Sequence, residues 1–194
     1  MNWLSLPLSI YIIANIAWFF PVFKQRRTDY FYFFLINAIN DPLLYFINHI
    51  YSVRTSVQLI FINTLLITSL LRSNKYHYFI ISVSFAGTVL ALFSFMPINS
   101  NHEIAILMQF IIMCIVIVRM TEQFMHNNTI NLFMILLIIN QAIIILKRLA
   151  VVMDPDLGVI SFYLGGAILI FFGIAFSFIN IHTKNFKLIK ADKY

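Results

Sequence analysis

The chain has 194 residues, 61% of them hydrophobic and only 10% charged, with a mean hydropathy of +0.90 and a formal net charge of +6. A soluble domain of ordinary composition carries about 25% charged residues, so this composition excludes one and leaves a helical membrane bundle without an attached soluble module. The basic residues sit in short clusters between apolar runs, which argues against a nucleic-acid surface and for topology determinants.

A helix that crosses a bilayer needs about 20 mostly apolar residues. Seven stretches fit, at 3–23, 29–51, 56–71, 78–96, 103–120, 129–147 and 158–181. The first has no basic leader and no small-residue cleavage site, so it reads as a retained helix rather than a signal peptide.

The second span is the most unusual. Within apolar sequence it carries Asn37, Asn40, Asp41, Pro42 and Asn48, followed by His49. At about 100° per residue, Asn37, Asn40, Asp41, Leu44 and Asn48 share roughly one third of the helix circumference. A carboxylate in hydrocarbon costs several kcal/mol unless paired, hydrated or protonated, so this face is expected to point inward. Pro42 has no N–H to offer the carbonyl of Ala38, which predicts a kink and a free backbone acceptor next to Asp41. Such a site suits a cation, a proton-carrying water or a polar ligand group.

Partners for that face are proposed from other spans: Asn15 in the first, Asn63, Thr64 and Thr68 in the third, Gln109 in the fifth, and Asn140 with Gln141 in the sixth. Of these, Asn37, Asn40, Asp41, Asn48, Asn63 and Asn140 form the candidate ligand or ion site. Each amide alone is more often interhelical glue. In the last span, Gly166, Gly173 and Ser177 offer a small-residue face for close packing within the chain or, alternatively, for a homodimer or a membrane-protein partner.

The connections are 24–27, 52–55, 72–77, 97–102, 121–128 and 148–157, all too short for a folded domain. Trp3, Trp18, Tyr30, Tyr51, Tyr76 and Tyr78 lie near span ends and suit interfacial belts. Counting Lys and Arg on alternate sides places Lys24, Arg26, Arg27, Arg72, Lys75, Arg119, Lys184, Lys187, Lys190 and Lys193 on one side. Arg54, Lys147 and Arg148 fall on the other. The richer side is expected to be cytoplasmic, with the N-terminus outside and the C-terminus inside.

The architecture expected is therefore all-α: a single seven-helix transmembrane domain over 1–181 and a basic cytoplasmic tail over 182–194. Lys184, Lys187, Lys190 and Lys193 in that tail are read as extending the last helix along the anionic leaflet, or as docking a partner.

Chemistry-bearing motifs are scarce. His49, Arg54, His102, Glu103, Lys147, Arg148, Asp154 and Asp156 gather on the outer side but show no H-x-x-x-H or H-E-x-x-H spacing, and read as a surface mixture of charges. Asp154-Pro-Asp reads as a turn that starts the last helix. There is no G-x-S-x-G and no phosphate-cradling glycine loop, and the single Cys114 reads as a packed apolar residue. The last span has no lysine for a retinal Schiff base. No metal or cofactor is expected.

An offset of 103 lays Asn37 on Asn140 and registers spans 1–3 on spans 5–7, a weak repeat that evenly spaced helices would also produce. The run Phe20-Pro-Val-Phe-Lys24 resembles the proline motif of sugar transporters built from parallel three-helix repeats. Val22 stands where that family has glutamine and the second copy is missing, so no family is recognised. The seven-helix, N-out topology is similar to that of receptor-type sensors. These readings point to a non-enzymatic multi-pass protein of the bacterial inner membrane, a sensor-like module or a subunit of a larger membrane complex. A small transporter or channel centred on Asp41 is the alternative.

Overall fold

A computed structural model describes residues 5–51, 54–71, 85–89, 92, 98–153, 155–182 and 186–187. The protein is all-α with seven helices. They are α1 (Ser5–Gln25), α2 (Phe31–Tyr51), α3 (Thr55–Leu70), α4 (described over 85–89 and at 92), α5 (Ile98–Asn127), α6 (Leu132–Met153) and α7 (Pro155–Phe178). Of these, α5 over Asn101–Asn127 and α6 over Leu132–Ala150 are long and apolar enough to cross a bilayer. Among the described residues Phe31–Leu44, Ser56–Leu70 and Leu164–Phe178 are apolar but shorter. Among the described residues, two of the seven expected spans are thus helices long and apolar enough to cross a bilayer.

Six helices form a closed ring. Each packs against two neighbours, in the order α1, α2, α3, α5, α6, α7 and back to α1. Pairing fixes direction: α1 and α7 run parallel, because a Cβ on Gly166 would meet Ile10 and one on Gly173 would meet the backbone of Ala17. At Gly173 that hypothetical Cβ lies 2.9 Å from the Ala17 carbonyl carbon, so only glycine lets the two backbones come this close. The small-residue face of the last helix is therefore occupied by α1 of the same chain. Helices α3 and α5 are parallel as well, with Asn63 donating to the Ala105 carbonyl near one end and Arg119 to the Leu70 carbonyl near the other.

Polarity is distributed inside out. Asn63, Gln58, Gln109, Asn140, Gln141 and Asn131 are buried, whereas Phe23, Phe171, Leu146 and Phe178 are exposed at 62–75%. In a water-soluble bundle the interior is apolar and such an outer surface is rare.

Several boundaries differ from those expected. Residues 121–127 continue α5, which ends at Asn128 in the left-handed region (φ 50°), a conformation asparagine tolerates at a helix C-terminus. Residues 148–153 continue α6, so Arg148 sits within a helix rather than in an outer connection, and Lys147 is no longer at the helix end. The proline of Asp154-Pro-Asp does open the last helix. The basic tail does not prolong α7. That helix stops at Phe178, and Phe186–Lys187 (β2) pairs antiparallel with Thr129–Ile130 (β1). Asn131 fastens the same corner, its Nδ2 donating to the Ile181 carbonyl at 2.7 Å and its Oδ1 accepting from the Phe133 N–H at 2.9 Å. Trp18 (6% exposed) and Tyr30 (1%) pack inside instead of forming an interfacial belt.

Candidate functional site

One half of the ring is filled by rings of another kind. Trp18 of α1, Phe34 of α2, Phe133 of α6 and Phe172 and Phe176 of α7 meet with centroid separations of 5.1–6.2 Å in tilted, stacked and edge-on pairs. Such geometries suit aromatic quadrupoles and leave little empty space. Polar groups at this end close on protein atoms. Gln25 Nε2 donates to the Ile179 carbonyl at 2.9 Å, and the Tyr30 hydroxyl donates to Met134 Sδ at 3.2 Å. The Arg119 guanidinium lies 5.5 Å from the centre of the Tyr30 ring and donates to the Leu70 carbonyl. Among the described residues, Trp18 Nε1, Gln123 Oε1 and Thr129 Oγ1 are the buried exceptions.

The other half encloses a cavity of about 370 Å³ to which all six ring helices contribute. Its polar lining comes from Asn15 of α1, Asn37, Asn40 and Asp41 of α2, Asn63 of α3, His102 and Gln109 of α5, and Asn140, Lys147 and Arg148 of α6. The cavity runs from His102 and Val152, near the end where α5 begins and α6 finishes, down to Trp18 at the aromatic plug. Apolar wall is supplied by Ile62, Leu66, Ile106, Ile143, Ile144, Ile168 and Leu169.

Local chemistry sets how these groups present themselves. Asn37 Nδ2 donates to its own helix, to the Phe33 carbonyl at 2.8 Å, and Asn40 Nδ2 donates to Asp41 Oδ1 at 3.2 Å. Helix α2 continues through Pro42, and Ala38, whose carbonyl Pro42 cannot serve, is fully buried. Asp41 and Lys147 both line the cavity and attract each other electrostatically, and Arg148 follows Lys147 in the chain. Gly165 of α7 makes room for the lysine: a Cβ there would lie 2.9 Å from Lys147 Cδ. Gln109 and Gln141 are hydrogen-bonded through their amides, and Asn63 Nδ2 donates to the Ala105 carbonyl at 2.9 Å.

What remains is a set of buried amide atoms without partners on residues that line the cavity. Among the described residues, Asn40 Oδ1, Asn63 Oδ1, Gln109 Oε1 and both Nδ2 and Oδ1 of Asn140 have no hydrogen-bond partner, and all four side chains line the cavity. Native interiors pair the large majority of such atoms, and an unpaired one costs about 1–3 kcal/mol. Their gathering on residues around one cavity marks where a ligand or water completes the bonding.

Of the six residues proposed from sequence, Asn37, Asn40, Asp41, Asn63 and Asn140 come together here. Asn48 lies on α2, but its side chain is outside the described residues, as are Lys184, Lys190 and Lys193; Lys187 is placed only as a strand residue. Asn15 and Gln109 join the cavity as expected, whereas Thr64 and Thr68 turn back to carbonyls of their own helix at Ile60 and Thr64. Lys147, Arg148 and His102 were read as a surface mixture of charges and instead line the cavity. The sequence held a signal for the lysine: it follows Asn140 by seven residues, two helical turns along the same face. Among the described residues no three His, Cys, Asp or Glu side chains gather as a metal site. Compared with models of protein families, with curated proteins and with solved structures, the chain matches none.

Proposed function

We propose that this is a non-enzymatic, seven-span membrane protein that binds a small solute in the polar cavity and acts as a sensor-like module. The observation that carries this reading is the wall of unpartnered amides from Asn40, Asn63, Gln109 and Asn140 around a space of about 370 Å³. That volume falls at the small end of the roughly 300–1,000 Å³ typical of ligand pockets. The apolar exterior and buried polar groups suit a bilayer as solvent, and the two long apolar helices support membrane association.

The charge bias supports an N-out, C-in orientation in a plasma membrane, here a bacterial inner membrane. With Lys147 and Arg148 inside α6, Arg54 is the only basic residue left in the connections of the expected outer side. The cavity then faces outward and the aromatic plug inward, the layout of a receptor that is filled from outside. The basic tail, held at β1–β2, is where a cytoplasmic partner or the anionic leaflet would be met.

A transporter is the second reading, favoured by the charged pair Asp41–Lys147 beside the site. It requires the plug to open. The test uses the full chain in lipid nanodiscs, with thermal unfolding read against water-soluble acidic, basic, zwitterionic and neutral solutes. At least one class should raise Tm by mass action, and proteoliposomes should accumulate none of it. No stabilisation by any class contradicts solute binding; uptake that Asp41→Asn abolishes replaces the sensor with the transporter.

A further inference from the structure

The charges around the cavity say what kind of solute it takes, given the solute-binding reading above. Among the described residues, one acidic and two strongly basic side chains line it: Asp41, Lys147 and Arg148. Asp41 and Lys147 are of opposite sign and attract each other. Arg148 is left over. Its hydrogen bonding among the described residues is a single long contact, from Nη1 to the Ala105 carbonyl at 3.4 Å, and that carbonyl already accepts from Asn63 at 2.9 Å.

A guanidinium has five N–H donors in a planar fork and a charge that a neutral carbonyl does not cancel. In a low-dielectric wall such a cation calls for an anion with matching geometry. A carboxylate matches the fork with two parallel bonds. The charge count selects a monoanion: a zwitterion leaves one positive charge uncompensated, and a phosphate-type dianion adds one negative charge too many. In the same lining, Ile143, Ile144 and Ile168 offer an apolar bed, and the two unpaired amide atoms of Asn140 offer a donor and an acceptor.

We infer that the cavity takes a small organic monocarboxylate, its head on Arg148, its apolar body on the isoleucines of α6 and α7, and any further polar group on Asn140. The test compares acids with their uncharged isosteres on the full chain in nanodiscs: butyrate, benzoate and phenylacetate against butyramide, benzamide and phenylacetamide. Affinity is read by titration and by the rise in Tm. The acids should bind, and the amides should bind roughly 10- to 100-fold more weakly, the factor expected for loss of a charge-assisted hydrogen bond. Arg148→Gln should bring acids and amides to the same weak affinity, with Arg148→Lys recovering part of the preference for acids. Should Arg148→Gln not fold, the acid–amide contrast in the unmodified protein still decides. Amides that bind as tightly as acids, or full acid affinity in folded Arg148→Gln, overturn the inference and leave solute binding standing. If neither acids nor amides bind while a basic, zwitterionic or sugar-like solute does, the inference again falls alone. If no solute of any class binds, both fall.

Discussion

The two halves of the helix ring are built from the same six helices and differ in how they finish their polar bonds. At the aromatic end, Trp18, Phe34, Phe133, Phe172 and Phe176 interlock, and Gln25, Tyr30, Arg119 and Asn131 all reach protein atoms. In the cavity half, Asn63, Gln109 and Asn140 are buried and Asn40 is half-buried, and all four keep atoms unpaired. Burial alone therefore does not separate structure from function here. The separation comes from whether the unpaired buried groups gather around a cavity, as Asn40, Asn63, Gln109 and Asn140 do, or lie away from it, as Gln123 and Thr129 do. An apolar surrounding makes an unpaired amide expensive unless something else binds it.

Substitutions in the two halves should then behave in opposite ways. The largest effect is expected at the plug. Phe176→Ala removes a fully buried ring that stacks or crosses Trp18, Phe34, Phe133 and Phe172. It should lower stability by about 3–5 kcal/mol, as large-to-small core changes do, read from unfolding in mixed micelles. A loss below about 1 kcal/mol would mean that the plug is not the packed half. Asn140→Leu should do the reverse. It removes two unpaired amide atoms and puts an apolar side chain of similar size in their place, so stability should hold or rise by up to about 1 kcal/mol. Stabilisation by solute should disappear. A marked destabilisation by Asn140→Leu would show that the amide is bonded within the bundle and would erase the contrast between the halves.

Much of the cavity was legible from residue types and helical period. Five amides and one carboxylate in apolar spans, Asn15, Asn37, Asn40, Asp41, Asn63 and Asn140, were singled out because they are costly in lipid, and they converge. The charged part was not legible. Lys147 and Arg148 end the apolar run of α6, so a hydropathy reading closes the span at Lys147, although the helix runs on to Met153. The long stem of Lys147 lies against Gly165, a berth that only the packing of α6 on α7 creates. The tail misled in a similar way. Lysines at a spacing of three suggested a helix, but the pairing of Phe186–Lys187 with Thr129–Ile130 is a tertiary contact that no local pattern announces. Trp18 and Tyr30 looked interfacial by position and are drawn inside by the aromatic cluster.

The central claim is that one half of the ring is open to a solute and the other is sealed. It is tested most directly by two single cysteines on the inner side of α6, Asn140→Cys and Leu137→Cys, introduced after Cys114→Ser. Both native side chains are at most 1% exposed and lie within one helical turn, yet Asn140 lines the cavity and Leu137 belongs to the packed core. A water-soluble methanethiosulfonate reagent added to sealed cells from outside should modify the cysteine at 140 readily and the one at 137 at least about 10-fold more slowly, because only an aqueous thiol ionises to the reactive thiolate. Equal rates at the two positions, or no reaction at 140, would contradict the account.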